Sequence, residues 1–461
     1  MKAKTSIFDY AEKKGIIVNS HYFTPEYIPD ELICRDDQIG ELAMICKPIF
    51  EGDKPKHCLV LGPTGTGKTV VFKHVFKSLA ARIDNDKIRL DALLKKKADL
   101  EANGKSLDTQ DQAALKMLNR IVPGINIIWD HVSCKETSTS SGILHQLITK
   151  LDPYTKISRR GTPLDTMYNV LYDLMRTKNV GLIVALDEID FLKDDSLLYN
   201  LSRAAVEEKL IGRQFITIIG LSNNIRFDDK LDERVKSSTT FEKIYFPPYT
   251  VTDIYQIINA RAEIALESGS YDYEIIEACA KRAFDFGGDV RVALKVVKAA
   301  AELAEQKQND KINVDDIYTA QEMVQRDELV RALLQLTTRQ QLVLMAVLKL
   351  KQYNIIPTSG QVTDVYVHLC KHISLETHDL TVVSKSINIL ELLGIVDTQS
   401  SHMGRKGGNT RLINVREEDR PKIAETLYGD DLLFKDLAGY NPIGDNPHII
   451  YENNKKRGWV K

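Results

Sequence analysis

The chain has 461 residues, a formal charge of −2 and 43% hydrophobic residues, the profile of a globular protein with room for two to four domains. No apolar stretch is long enough to span a bilayer, and Met1-Lys2-Ala3-Lys4 leads into Ser6 to Tyr10 without a signal-peptide core, so a chain that stays inside the cell is expected. Cys34, Cys46, Cys58, Cys134, Cys279 and Cys370 are scattered with no Cys-x-x-Cys or Cys/His cluster, which argues against a zinc site or a disulfide framework.

The first strong signal is the apolar run Cys58 to Leu61, followed by Gly62-Pro63-Thr64-Gly65-Thr66-Gly67-Lys68-Thr69 and an apolar helical stretch from Val70. This strand, loop, helix order fits a phosphate-binding loop. Its glycines let successive N–H groups turn toward one phosphate chain, Lys68 reaches the β- and γ-phosphates, and the Thr69 hydroxyl is placed for Mg²⁺. Residues 82 to 120 carry many charges, Lys95-Lys96-Lys97 among them, on two amphipathic stretches flanking Asn103-Gly104. They read as a protruding helical hairpin, a solvated insertion rather than a binding device.

Strand candidates follow at Ile125 to His131, Gly181 to Leu186, Phe215 to Leu221 and Lys243 to Phe246, separated by helical stretches as a parallel sheet requires. Gly181 to Leu186 ends in Asp187-Glu188-Ile189-Asp190. An acidic residue at a core strand end holds Mg²⁺ in P-loop ATPases, a role that falls to Asp187, leaving Glu188 to polarise the attacking water. Pro247-Pro248-Tyr249 closes this domain at about residue 250. From Thr252 to about Arg326 the periodicity is helical, with Gly287-Gly288-Asp289 as loop and N-cap before Val290 to Leu303. That stretch, 251 to 328, is expected to form a helical lid.

Residues 329 to 427 have the order of a winged helix: helices at Gln340 to Leu350, Gly360 to Ile373 and Thr381 to Leu393, then strands around Ile395 to Thr398 and Thr410 to Val415. On the third helix Val383, Ile387 and Leu390 line one face, while Thr381, Ser384, Lys385 and Asn388 recur on the other, where a major groove could be read. The turn between the strands carries Arg405 and Lys406, with Arg411 just after, placing cations within reach of phosphates or a minor groove. Residues 331 to 416 hold ten basic residues against five acidic ones, so a polyanion partner is expected for that part alone. A winged helix also serves as a protein-protein module, and that alternative stays open. Residues 428 to 461 form a tail without an assigned place.

From about Val18 to Leu427 the chain resembles the archaeal initiators related to the origin recognition complex large subunit and the cell-division-control loader, within the AAA+ ATPases. The resemblance implies an α/β AAA+ domain, a helical lid and a C-terminal winged helix. Tyr22 to Ile39 is similar to the family's opening segment, which puts Tyr27, Ile28, Pro29 and Arg35 beside the adenine, and Tyr249 and Arg261 are expected among the nucleotide contacts. Gly220 to Asn224 is similar to the strand-end sensor, with Asn223 on the γ-phosphate and attacking water. Leu231 to Ser238 looks like the arginine-finger segment, with Arg234 facing a neighbouring subunit. Gly288-Asp289-Val290-Arg291-Val292-Ala293-Leu294 is similar to the lid sensor, with Arg291 near the γ-phosphate, and Gly404 to Arg411 resembles the family's wing. Arg159 to Pro163 loosely resembles the family's DNA-contacting insertion. The implied function is an ATP-dependent replication initiator, cytoplasmic and nucleoid-associated. It would hydrolyse ATP slowly with Mg²⁺, bind duplex origin DNA, self-associate there and recruit or load the replicative helicase. A signalling-type regulatory ATPase and a helicase or clamp-loader motor are the competing classes.

Overall fold

The computed structural model describes residues 15–24, 27–103, 106–121, 124–285, 287–353, 356–402, 409–429 and 432–445. The chain divides into two compact units between Ile317 and Tyr318.

The first unit begins with α1 (Asp36–Cys46) and α2 (Pro48–Glu51), then β1 (His57–Leu61), α3 (Lys68–Ala102), α4 (Thr109–Ile121), β2 (Asn126–Ser133), α5 (Ser140–Leu151) and α6 (Leu164–Lys178). It continues through β3 (Val180–Asp187), α7 (Ser196–Arg203), β4 (Ile216–Ser222), α8 (Glu233–Ser238) and β5 (Phe241–Tyr245). All pairings are parallel, in the order β2-β3-β4-β1-β5. Because β3 is covered on both faces, its sequence is an unbroken apolar run: Leu182, Val184 and Leu186 join the core beneath α5 and α6, Ile183 and Ala185 the core beneath α1 and α3. The register pairs Leu61 with Ser222, Leu186 with Gly220 and Ser133 with Asp187, so the carboxyl ends of four strands open along one edge of the sheet. Open parallel sheets place ligand chemistry at that edge.

The expected insertion is a helical hairpin with its turn at Asn103, but its first arm is not separate from the phosphate-loop helix. α3 runs for 35 residues without a break and α4 returns beside it, joined by a Lys96–Asp111 pair. No Gly or Pro interrupts residues 68 to 102, so nothing in the chain ends the helix earlier.

The lid follows as α9 (Val251–Ala265), α10 (Tyr273–Asp285), α11 (Val290–Gln306) and the start of α12 (Val314–Leu334). Thr250 and Asp253 form a reciprocal capping box on α9, and Asp289 caps α11. The expected boundary at 328/329 falls inside α12, a single helix without a breaker.

In the second unit, α13 (Thr338–Lys351), α14 (Ser359–His372) and α15 (Leu380–Leu392) pack beside an antiparallel pair, β6 (Asp397–His402) and β7 (Asn409–Asn414). α16 (Arg420–Gly429), α17 (Leu432–Gly439) and α18 (Pro442–Asp445) complete it. Residues 432 to 445 thereby belong to this domain: Phe434, Leu437 and Ile443 are buried in the same core as Val383, Ile387 and Leu390, and Lys349 Nζ donates to Ala438 O at 2.9 Å.

Candidate functional site

The phosphate loop takes its shape from positions that only glycine fills easily. Gly65 and Gly67 have φ of 78° and 88°, and a Cβ on Gly62 would stand 2.3 Å from Phe246 O. Pro63 and Thr66 shape the loop instead of facing the cavity: the Thr66 hydroxyl donates to Pro63 O at 2.9 Å, and Thr66 is buried. The first N–H groups of α3 have no partner inside the helix, so the loop presents backbone donors and the positive end of a helix dipole to one spot.

Around that spot lies a cavity of about 520 Å³, lined by Thr64, Gly65, Gly67, Lys68 and Thr69 from the loop, Asp187, Glu188 and Asn223 from strand ends, and Arg291 from α11. Lys68 Nζ donates to Gly62 O (2.7 Å), Pro63 O (2.7 Å) and Asn223 Oδ1 (2.9 Å). Burial lowers its pKa to about 8, with the nearby carboxylate of Asp187 opposing. Thr69 Oγ1 donates to Asp187 Oδ2 at 2.7 Å. Asp187 is held below the usual carboxylate range: burial pushes it up, but hydrogen bonds from His131 and Thr69 outweigh that. Glu188 is half-buried with φ of 50°, and burial raises its carboxyl, with Lys135 opposing. An ionised acceptor beside a threonine hydroxyl suits a hard divalent cation, and a carboxyl of raised pKa suits a proton acceptor.

The base end of the cavity is an apolar slot. Tyr27, Ile28 and Pro29 line it together with Ile257, Ile264 and Leu294 of the lid, and the Arg261 guanidinium lies 4.3 Å over the Tyr27 ring. Arg261 Nη1 is buried without a hydrogen-bond partner, an orphaned donor that a purine nitrogen would satisfy. The lining therefore fits a nucleotide: apolar side chains with one unpaired donor for a base, and a lysine, an arginine, an asparagine and loop N–H groups for phosphates.

Arg35 lines the cavity but its nitrogens are already engaged. Nε donates to Thr66 O (3.0 Å), Nη2 to Pro247 O (2.8 Å) and Nη1 to Cys34 O (3.2 Å), with the guanidinium 3.6 Å over Tyr249. In this arrangement Arg35 braces the phosphate loop against the end of β5, and Tyr249 supports it from beneath, its hydroxyl 2.6 Å from where a Gly67 Cβ would be. Arg234 is not among the cavity residues. It sits in the first turn of α8 with its side chain 83% exposed, as a group acting on another molecule would be.

Two residues of this site, Asp190 and His131, had no role assigned from sequence, and Asp289 had only that of an N-cap. Asp190 accepts from Ser222 Oγ (2.9 Å) and from the Asn223 backbone N–H (3.0 Å), anchoring the end of β4. The Asp289 carboxylate pairs with Arg291 (2.7 Å) and packs on Gly65. His131 meets Asp187 Oδ2 at 2.9 Å. A polar residue at the end of an apolar strand was the one available signal for His131, and Asp190 was in view as the last residue of the Asp-Glu-Ile-Asp segment.

In the second unit α15 buries Val383, Ile387 and Leu390 and exposes Thr381, Lys385 and Asn388, with Ser384 partly covered. Arg411 is a fixed strut, not a loose cation: its guanidinium bonds Asn388 and lies 3.9 Å from Glu391, tying β7 to α15. Lys349 and Lys351 point inward, the latter to Asn414, so two of the ten basic residues counted in this region are unavailable to a polyanion. Arg405 and Lys406 lie outside the described residues.

Comparison with known proteins decides between the ATPase classes. Residues 31–211 match the AAA ATPase domain, 255–322 the Cdc6 AAA+ ATPase-type lid domain and 331–420 the CDC6 C-terminal winged helix domain. The ORC1-type DNA replication protein of Thermococcus onnurineus is 31% identical over 431 residues, covering 92% of this chain and 94% of its own. ORC1-type DNA replication protein 1 of Sulfurisphaera tokodaii is 30% identical over 421 residues, covering 90% and 94%. This chain belongs to the ORC1-type DNA replication proteins. The structure of the Aeropyrum pernix ORC1 protein in complex with DNA matches it with a TM-score of 0.69 at 26% identity, covering 90% of this chain and 98% of that one. As an ORC1-type protein it is an AAA+ ATPase of DNA replication, with a nucleotide-binding core, a Cdc6-type lid and a winged helix.

Proposed function

We propose that this protein is an ATP-driven replication initiator: it binds origin duplex DNA through its winged helix and, in its ATP state, helps recruit or load the replicative helicase. The observation that carries the nucleotide half is the convergence of Lys68, Asn223 and Arg291 on one cavity. Two of these come from the α/β core and one from the lid, so a single γ-phosphate would be a ligand common to both, and its hydrolysis would release them. Thr69 and Asp187 would hold Mg²⁺, which supplies charge neutralisation on the phosphates, and Glu188 would orient the attacking water. Turnover is expected to be slow, as in a switch. Arg234 would act on nucleotide held by a neighbouring copy.

The DNA half is supported by the polar face of α15, where Thr381, Lys385 and Asn388 are exposed at helical spacing, and by the likeness to the Aeropyrum pernix ORC1 protein, whose structure is in complex with DNA. Footprinting of the full chain on chromosomal DNA from its own source, with ATP and with ADP, tests both halves. Protection of discrete duplex sites, with helicase recruited only in ATP, is the expected result. Self-assembly with nucleotide and no duplex affinity at low salt would overturn the DNA half and leave the winged helix as a protein-protein module.

A further inference from the structure

The Asp187 carboxylate is gripped from two sides. Its Oδ2 accepts Thr69 Oγ1 at 2.7 Å and meets His131 Nε2 at 2.9 Å, while Oδ1 accepts the Glu188 N–H at 2.9 Å. His131 lies on β2 opposite Ala185 of β3, and residues 185 and 187 share a face, so the imidazole is aimed diagonally across the two strands at Asp187. An ionised carboxylate only accepts, so Nε2 carries the hydrogen in this contact, which neutral imidazole supplies as one tautomer. Gln146 of α5 fixes the strand there, its Nε2 donating to His131 O at 3.3 Å and to Asp130 Oδ2 at 3.1 Å. The imidazole is mostly buried, with the Phe72 ring 6.2 Å away, so its orientation is set by packing on one side and by Asp187 on the other.

We propose that His131 is a positioning residue for the divalent cation that accompanies the nucleotide, orienting the Asp187 carboxylate so that it and the Thr69 hydroxyl serve one cation. The inference rests on the assignment of Thr69 and Asp187 to that cation. A partner that orients a ligating carboxylate is usually worth about 10- to 100-fold in metal affinity. Packing alone would be preserved by an apolar side chain of similar volume, whereas positioning needs a donor at the place of Nε2.

The test is ATP affinity of the full chain by calorimetry, in EDTA and across a Mg²⁺ titration, for the wild type, His131→Leu and His131→Gln. His131→Leu is expected to need about 10- to 100-fold more Mg²⁺ for half of the metal-dependent gain in affinity. Its affinity in EDTA should match the wild type, and His131→Gln, which restores an amide donor, should recover most of the Mg²⁺ response. An unchanged Mg²⁺ requirement in His131→Leu, an equal loss in EDTA, or a Gln variant no better than Leu would overturn the inference. A wild type without any Mg²⁺-dependent gain would instead remove the cation assignment, and the inference with it.

Discussion

Lys68 Nζ lies 2.9 Å from Asn223 Oδ1, so the lysine at the start of α3 and the asparagine after β4 are one hydrogen bond apart. A terminal phosphate that reaches Lys68 is then within reach of Asn223, although the two residues are 155 positions apart in sequence. Their losses should differ. Lys68→Ala removes the charged donor proposed to serve both β- and γ-phosphates, and is expected to weaken ATP and ADP binding by about 3 kcal/mol, roughly 100-fold or more. Asn223→Ala should leave ADP affinity intact and lower single-turnover hydrolysis by about 10²-fold, the size of one lost preorganised donor. Calorimetry and quench-flow separate the two, and an ADP deficit in Asn223→Ala would show that the contact is not restricted to the γ-phosphate.

Gly65 is the point at which the lid meets the loop. A Cβ there would stand 2.3 Å from the Asp289 carboxyl carbon and 2.7 Å from its Cα, at a φ of 78° that costs an L-residue about 1 kcal/mol by itself. Gly65→Ala should therefore push the N-terminus of α11, and Arg291 with it, away from the phosphates. ATP affinity is expected to fall by about tenfold or more while thermal stability drops only by that strain, roughly 1 kcal/mol. Wild-type affinity in the variant would show that the lid does not need to approach the loop this closely.

The strands, the loop and the polar face of α15 were legible because each is a local pattern: an apolar run closed by a carboxylate, glycines at fixed spacing, a 3.6-residue period. The use of Arg35 as a brace was not, because its partners are the carbonyls of Thr66 and Pro247, and carbonyls leave no mark in a sequence. The same holds for Arg411, whose partners Asn388 and Glu391 lie on a different element. The segment after Leu427 escaped for another reason. Short helices such as α17 and α18 present too few turns for a period to emerge, and Phe434 and Ile443 acquire meaning only from the core they enter.

Glu188 supplies a pH test. Burial raises its carboxyl above the ordinary glutamate range, and a water-orienting base works only when ionised. Hydrolysis under saturating ATP should consequently fall as pH is lowered, with an apparent midpoint above about 4.3, the value for an unperturbed glutamate. Glu188→Gln should retain ATP binding, lose most turnover and lack that limb. An acid limb that persists unchanged in Glu188→Gln would assign it to another group.

Arg234 predicts a concentration effect. The side chain is exposed and outside the cavity lining, so it cannot serve the nucleotide of its own chain in this arrangement. Arg234→Ala should leave hydrolysis at low protein concentration unchanged and abolish any rise in specific activity with concentration. Equal loss at all concentrations would mean that the residue acts within its own chain.

For the winged helix, gripping and reading make separable predictions. Lys385 is exposed on α15 and no ion pair holds it among the described residues, so it is free to reach a base edge, and Lys385→Ala should narrow the gap between origin and random duplex by ~1 to 3 kcal/mol. Arg411 is different. Its guanidinium already binds Asn388, so Arg411→Ala frees the Asn388 side chain and loosens β7 from α15 at the same time. The expected signature is a loss on all sequences together with a loss of origin preference, whereas a pure phosphate contact would lower the log-log salt slope by about one unit and leave preference untouched. Salt titrations of the full chain on origin and random duplexes distinguish the two, and Arg411→Lys, which keeps the charge but not the planar fork, should restore the grip without the preference.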